Sequence, residues 1–191
     1  MNKRDFLAAA LLPAALPATA QGMAGPRRSP VLLTVTGEIG KTNRGPLDPM
    51  LDQMMARQKI AFDKAFGFDF PALAALPAVT IKPTLEYDGK VHTLRGPLVT
   101  TVLKAVRASS ERGTLAMRAV DGYSPTISVA DSRKYRFIVA TMLDGKPMPL
   151  GGLGPLWAVF EPDGFPDMAG KPLDQRFAKC PWAVYHIDVQ A

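Results

Sequence analysis

The chain of 191 residues is 47% hydrophobic and 21% charged, which excludes an intrinsically disordered chain and a multi-span membrane protein. Its single cysteine and two histidines exclude an intrachain disulfide, a thiolate zinc site and a His-rich metal cluster, so we expect neither zinc nor haem. The net charge of +6 is scattered along the chain without a dense Lys/Arg run, so we expect no binding to nucleic acid.

The first 20 residues have the three parts of a secretory signal peptide. Lys3 and Arg4 form a positive start, and residues 6–16 form an apolar stretch that is too short to span a bilayer. The small residues Ala18 and Ala20 then predict cleavage after Ala20 and a periplasmic location. Because Lys3-Arg4 precedes Phe-Leu after one residue, the segment also resembles a degenerate twin-arginine signal. The export route therefore stays open between the two pathways.

After a flexible N-terminus at residues 21–30, residues 31–191 are predicted to form one domain. Strands outnumber helices and are separated by Asp-Gly and other turns, so the predicted class is α+β with a largely β core. The predicted strands cover residues 31–36, 78–82, 91–95, 115–120, 126–129, 136–143, 156–160 and 183–189. Shorter helices are predicted at residues 71–76 and 97–106.

Residues 44–67 are predicted to be a helical insertion. Apolar side chains recur at helical spacing, Asp48 before Pro49 fits a helix start, and Gly67 fits a helix end. Met50, Met54 and Met55 lie on this apolar stripe, which favours packing in the core over a copper site built on thioethers.

Few residues carry an obvious chemical signature. His92 and His186 are predicted to be ordinary surface or strand-edge residues, with a metal pair as the alternative. Cys180 is predicted to be an inert, half-buried thiol, because only Lys179 nearby could activate it. The glycine-rich residues 151–154 are predicted to form a simple loop, with a backbone anion nest as the alternative.

From Arg95 onward the chain carries short segments in a characteristic order. They are Gly96-Pro97-Leu98, Val120-Asp121-Gly122-Tyr123, residues 138–148 and Gly154-Pro155-Leu156-Trp157, with Trp182 leading the last strand. In this order the chain resembles the molybdopterin-binding oxidoreductase domain of the sulfite oxidase superfamily, most closely its small exported single-domain members. The resemblance covers most of residues 31–190. It implies a sulfite oxidase catalytic-domain-like mixed β core with flanking short helices, and molybdopterin as cofactor.

The sequence departs from this family at the metal site. In the family's full enzymes a cysteine upstream of the Gly-Pro-Leu segment binds molybdenum, but the matching residues 78–94 contain none. Cys180 belongs to the C-terminal part and does not replace it. The arginine that often follows Gly-x-Pro is also absent, because Gly154-Pro155-Leu156 leads into Trp157. A molybdenum centre favours thiolate, so these departures argue against sulfite-oxidase-type catalysis.

Two functional interpretations follow from the resemblance. The first is a periplasmic molybdopterin-dependent oxidoreductase-like domain, catalytically degenerate if no cysteine binds molybdenum. The second is an exported, non-catalytic module that binds a small molecule, a pterin, or a periplasmic redox or sensor partner. The residues expected around a cofactor are Asp121, Tyr123, Gly152, Gly154 and Trp157. The Asp121-Gly122-Tyr123 turn is equally compatible with a plain tight turn.

Overall fold

The computed structural model describes residues 29–109 and 111–191. The predicted signal peptide at residues 1–20, and residues 21–28 of the predicted N-terminal segment, lie outside the described part of the chain. The described residues form a mixed α/β fold that is compatible with the α+β class. None of the helices in this part of the chain is long and apolar enough to cross a membrane.

Short strands dominate the fold, and the helices between them have at most seven residues. The strands are β1 (Val31–Gly37), β2 (Phe66–Asp69), β3 (Ala78–Ile81), β4 (Leu94–Pro97), β5 (Thr114–Ala119), β6 (Thr126–Ser128), β7 (Ile138–Ala140), β8 (Met142–Leu143), β9 (Lys146–Pro147), β10 (Trp157–Val159) and β11 (Val184–Gln190). The helices are α1 (Gln53–Arg57), α2 (Phe70–Ala74), α3 (Val99–Ala105), α4 (Val129–Lys134), α5 (Pro166–Ala169) and α6 (Leu173–Arg176), and a 3₁₀ turn covers Pro162–Gly164.

Three sheets organise these strands. The largest has the order β2-β1-β11-β5-β6, in which only β1 and β11 pair in parallel. A four-stranded sheet has the order β3-β4-β8-β9, and β7 and β10 form a two-stranded sheet. The C-terminal strand β11 therefore lies at the centre of the largest sheet, next to the first strand of the domain.

Strand alternation gives the largest sheet two different faces. Leu33, Val35, Ile187 and Val189 point into the main core, where they are buried with the side chains of α3 and β7. The residues between them on β1 and β11 point to the opposite face, because successive side chains alternate across a strand. This outer face carries polar side chains and is partly covered by residues 59–61.

The prediction of a helix across residues 44–67 is wrong in its extent. Only Gln53–Arg57 is helical, and Gly67 lies in β2 instead of ending a helix. Asp48 caps a turn, where its Oδ1 accepts hydrogen bonds from the Met50 and Leu51 amides. A short helix gains most of its stability from a buried apolar face, but Met50 and Leu51 are 77% and 82% exposed. The segment therefore winds over the outer face of the largest sheet as loop and short helix.

The apolar stripe predicted for this segment is only partly buried. Met55 and Ile60 pack with Tyr185 in a small separate cluster, whereas Met50 and Met54 are exposed. The core packing predicted for these methionines therefore holds for Met55 alone. Gln58 ties the segment down, since it accepts a hydrogen bond from the Tyr185 hydroxyl and donates one to the Val120 carbonyl oxygen.

Candidate functional site

The residues predicted to surround a cofactor converge on residues 177–183, which we call the C-terminal crossing segment. The Tyr123 hydroxyl donates to the Ala178 carbonyl oxygen, and the indole Nε1–H of Trp157 donates to the Cys180 carbonyl oxygen at 3.0 Å. The glycine-rich loop joins the same segment, because the Ala183 amide donates to the Leu153 carbonyl oxygen at 3.1 Å. The fold thus gathers three separate parts of the sequence around one short stretch of chain.

The Asp121–Tyr123 turn connects β5 to β6 and is shaped by its own aspartate. Asp121 Oδ1 accepts a hydrogen bond from the Tyr123 amide at 2.9 Å, which forms an Asx turn. Gly122 has a φ of +93°, a backbone conformation that favours glycine. The turn presents the Tyr123 ring, which is 49% exposed, beside the C-terminal crossing segment. Asp121 therefore acts through the backbone, and Tyr123 is the exposed side chain of this turn.

Trp157 is completely buried and fills the middle of this region. Its ring lies 6.0 Å from that of Phe177 and 6.4 Å from that of Tyr87, and its backbone forms a β-bridge with Trp182. A buried indole N–H normally has a hydrogen-bond partner, and the Cys180 carbonyl oxygen meets that need here. Trp157 therefore serves as a packing residue and has no surface left for a bound molecule.

The glycine-rich loop is a tight backbone crossing. A Cβ atom on Gly154 would stand 2.4 Å from the Met148 carbonyl oxygen, so only glycine fits this position. The peptide bond between Gly154 and Pro155 is cis. Gly152 is exposed, and its amide donates to the Pro149 carbonyl oxygen within the loop. These contacts favour the simple loop over an anion nest, since the Gly152 N–H already has a partner.

Cys180, in the C-terminal crossing segment, is a buried residue. Its side chain is buried, and burial raises the pKa of the thiol, with the nearby Glu86 carboxylate raising it further. A thiol in this state stays protonated, whereas a metal ligand or a nucleophile must be a thiolate. Cys180 is thus more deeply buried than the half-buried thiol predicted from the sequence, and the prediction that it is inert agrees with this environment.

The loop before β4 supplies the other exposed ring of the region. Tyr87 is 55% exposed, and partial burial together with Glu86 raises the pKa of its phenol to about 12. This loop belongs to residues 78–94, where the resembled enzymes carry their molybdenum ligand. Phenol and carboxylate oxygens there are hard donors that do not replace a soft thiolate. The residues present therefore do not fit a molybdenum centre of that type.

His92 forms a latch that the sequence did not predict. It lies just ahead of β4, and its Nδ1 and Nε2 are 2.7 Å and 3.0 Å from carboxylate oxygens of Asp144 and Asp88. A carboxylate only accepts, so both ring nitrogens must carry protons and the ring is an imidazolium. The bonds to Asp144 and Asp88 accordingly raise the pKa of His92. The four-residue spacing of Asp88 and His92 was the only signal in the sequence.

His186 is buried, which corrects the prediction of a surface or edge residue. It lies on the outer face of β11, where its Nε2 is 2.8 Å from Thr36 Oγ1. Thr36 Oγ1 in turn donates to Asp188 Oδ1 at 2.8 Å. In the sequence, polar residues occupy every second position of β1 at Thr34 and Thr36, and of β11 at His186 and Asp188. This pattern indicates a polar face shared by the two strands.

The two histidines do not form a metal pair, because each is held by a different set of partners. Among residues 29–109 and 111–191, no group of three or more His, Cys, Asp or Glu side chains could hold a metal ion. Comparison of the whole chain with protein-family models gives no match. A search of curated protein sequences gives no match either.

Proposed function

We propose that this protein is an exported, non-catalytic binding module on a molybdopterin-oxidoreductase-like α+β domain. The complete burial of Trp157 is the observation that carries the proposal. Trp157 follows Gly154-Pro155-Leu156, where the resembled enzymes often carry an arginine. An arginine there could bind the phosphate of a pterin cofactor, whereas a buried indole contributes only packing and one internal hydrogen bond. The chain has thus exchanged a ligand-binding cation for core structure.

The state of the thiol supports the same proposal. Catalysis of the sulfite oxidase type needs a thiolate next to the pterin, and the chain has one cysteine. That cysteine is buried, and burial raises the pKa of its thiol. Neither a metal nor a substrate can approach its sulfur without displacing packed side chains.

The surface that we propose for the ligand is the aromatic rim, made of Tyr87, Tyr123 and Trp182. These three side chains are 38–55% exposed. Trp182 belongs to the C-terminal crossing segment, Tyr123 bonds to it, and the Tyr87 ring lies 6.4 Å from that of Trp157, which bonds to the same segment. Exposed aromatic rings offer flat faces on which a planar ring can stack. The ligand that we propose is therefore a small planar molecule of the pterin class, held without a metal.

Titration with free pterin tests this ligand, with tryptophan fluorescence as the readout. Trp182 is exposed and Trp157 is buried, so a bound ring should quench Trp182. We expect Tyr123→Leu to weaken the binding, and Met50→Ala, a change at an exposed apolar residue of the loop before α1, to leave it unchanged. Equal quenching in both variants, or none in the unmodified protein, would contradict the aromatic rim as the site.

A second candidate is a molybdopterin-dependent oxidoreductase. One observation favours it: Tyr123, Trp157 and the glycine-rich loop meet around the same segment, as residues around a cofactor would. In this case the cofactor would have to be bound without a protein thiolate.

Molybdenum content distinguishes the two candidates, because only the oxidoreductase holds its pterin together with a metal. The protein is purified from its native periplasm, in cells whose other molybdoenzymes are loaded, and molybdenum is measured by elemental analysis and pterin by fluorescence. The binding module is expected to contain no stoichiometric molybdenum, and the Cys180→Ala variant should be the same. One molybdenum per chain in the unmodified protein would overturn the proposal and favour the oxidoreductase.

A further inference from the structure

A charged groove lies on the outer face of the largest sheet, separate from the aromatic rim. Its volume is about 280 Å³. Arg118 of β5 and His186, Asp188 and Gln190 of β11 form its floor, and residues 59–61 form its roof. The floor residues share one face because they alternate with core residues along two paired strands.

The groove carries unpaired positive charge. Arg118 and Lys59 both line it, and neither forms an ion pair with any acid among residues 29–109 and 111–191. The acid that lines the groove is Asp188, whose two oxygens already accept hydrogen bonds from Thr36 Oγ1 and Gln190 Nε2. Two cations and one carboxylate leave the groove with one net positive charge.

His186, in the floor of the groove, has a polar atom without a hydrogen-bond partner. Thr36 gives its hydroxyl proton to Asp188, so His186 Nε2 must carry the proton that lies between it and Thr36. His186 Nδ1 then has a free lone pair, and this atom is buried without a hydrogen-bond partner in the described part of the chain. Buried polar atoms without partners are rare, and each one calls for an explanation.

We propose that this groove binds a small monocarboxylate, whose oxygens are held by Arg118 and Lys59. The net charge favours a single negative charge, because a dianion would also meet the Asp188 carboxylate. The guanidinium of Arg118 can bind a carboxylate through two parallel hydrogen bonds, and the flexible Lys59 can close over it. This site shares no residue with the aromatic rim and does not depend on the function proposed for that rim.

Binding is coupled to proton uptake at His186. Burial lowers the pKa of His186 to about 4, Asp188 raises it, and Arg118 lowers it. A carboxylate bound to Arg118 brings a negative charge that offsets the repulsion by Arg118, and this favours the imidazolium. Nδ1 is the atom that takes the proton, because Nε2 already carries one.

The charged and titratable groups around His186 are consistent with a rise of its pKa when the carboxylate binds. Arg118 faces it from β5, Lys59 from the roof, and Asp188 and Tyr185 from its own strand. The residues of β1 on this face are Thr34 and Thr36, which do not titrate. Among these groups only the two cations oppose a charged His186, and the single negative charge of the ligand would offset one of these two positive charges.

Nuclear magnetic resonance of protein labelled with ¹⁵N-histidine tests the site directly. The chain has two histidines, so His92 serves as an internal control in every spectrum. With lactate as the probe, we expect the titration midpoint of His186 to rise by about one pH unit, which corresponds to a tenfold change in proton affinity. The midpoint of His92 should not change, and the uncharged lactamide should change the titration midpoint of neither histidine.

Charge variants complete the test. Lys59 is exposed, so Lys59→Gln should fold normally and weaken lactate binding several-fold, and Arg118→Gln should weaken it about tenfold or more. Lys104→Gln removes the same charge from the exposed side of α3 and should change nothing. The proposal is overturned if lactate leaves His186 unmoved, if lactamide acts equally, if phosphate binds in place of lactate, or if Lys104→Gln weakens binding as much as Lys59→Gln.

Discussion

Trp157 donates its indole proton to the carbonyl oxygen of Cys180 across 3.0 Å, and both residues are buried. This bond joins β10 to the C-terminal crossing segment at the centre of the candidate site. Moving the segment that carries the thiol away from β10 would therefore cost free energy, because it would expose the indole ring and break a buried hydrogen bond.

Replacing Trp157 should therefore cost stability. Trp157→Phe removes ring volume from the core and leaves the Cys180 carbonyl oxygen without its partner, so we expect a loss of about 2–4 kcal/mol in the free energy of unfolding. Denaturant unfolding measures this loss. Trp182→Phe is the matched control, because Trp182 is 38% exposed and should lose less than about 1 kcal/mol. Equal losses in the two variants would show that Trp157 has no special role.

Gly154 should tolerate no side chain. Gly154→Ala places a Cβ atom 2.3 Å from Met148 Cβ and 2.4 Å from its carbonyl oxygen, so we expect a loss of about 1–3 kcal/mol or more. Thermal unfolding is a suitable measurement. Gly164→Ala provides the control, since nothing lies within 4 Å of its Cβ position. An unchanged melting temperature for Gly154→Ala would mean that the loop does not pass as closely as described.

His186 should make the protein sensitive to mild acid. Its folded pKa of about 4 lies below the ordinary value of 6.5, so the stability it supports is complete above pH 6.5 and falls as the pH drops toward 4. The full loss is roughly 3 kcal/mol by the linkage relation. Unfolding by denaturant between pH 4 and pH 7 measures it, and histidine resonances should assign the low midpoint to His186. A His186 midpoint near 6.5 would contradict its burial as a neutral ring.

His92 should have the opposite pH dependence. Its hydrogen bonds to Asp144 and Asp88 raise its pKa, so the stability it contributes is complete below pH 6.5 and disappears as the pH rises through the raised folded pKa. We expect His92→Gln to abolish this loss of stability at alkaline pH. The loss of stability at acid pH, which depends on His186, should remain. The two contacts lie at the surface, where the side chains of His92, Asp88 and Asp144 are 23%, 39% and 52% exposed, so the effect should also shrink at high salt. A loss of stability at alkaline pH that persists in His92→Gln would contradict the role given to the contacts of His92 with Asp144 and Asp88.

Alternation of side chains is the local signal behind two of the predicted strands. Leu115 and Met117 of β5, and Ile187 and Val189 of β11, point inward in strict alternation with more polar residues, which is a local signal. The helix over residues 44–67 failed for the opposite reason. Its apolar spacing was real, but tertiary structure left Met50 and Leu51 exposed, and periodicity alone carries no information about what covers a face.

The site was predictable only as a set of separate pieces. Tyr123 and Trp157 were named from the sequence, but their bonds to Ala178 and Cys180 connect residues far apart in the chain. Their roles also depend on burial, which distinguishes the buried Trp157 from the half-exposed Tyr123. The partners of His186 were out of reach because the parallel pairing of β1 with β11 sets them.

The most direct test of the central claim is the reaction of Cys180 with a thiol reagent, measured on the folded protein. The chain has one cysteine, so the labelled fraction reports this site alone. Because the thiol is buried and its pKa is raised, we expect almost no labelling at neutral pH until denaturant unfolds the protein, and then one label per chain. Fast, complete labelling of the folded protein would contradict the account, because it would show a thiolate open to a metal or a substrate.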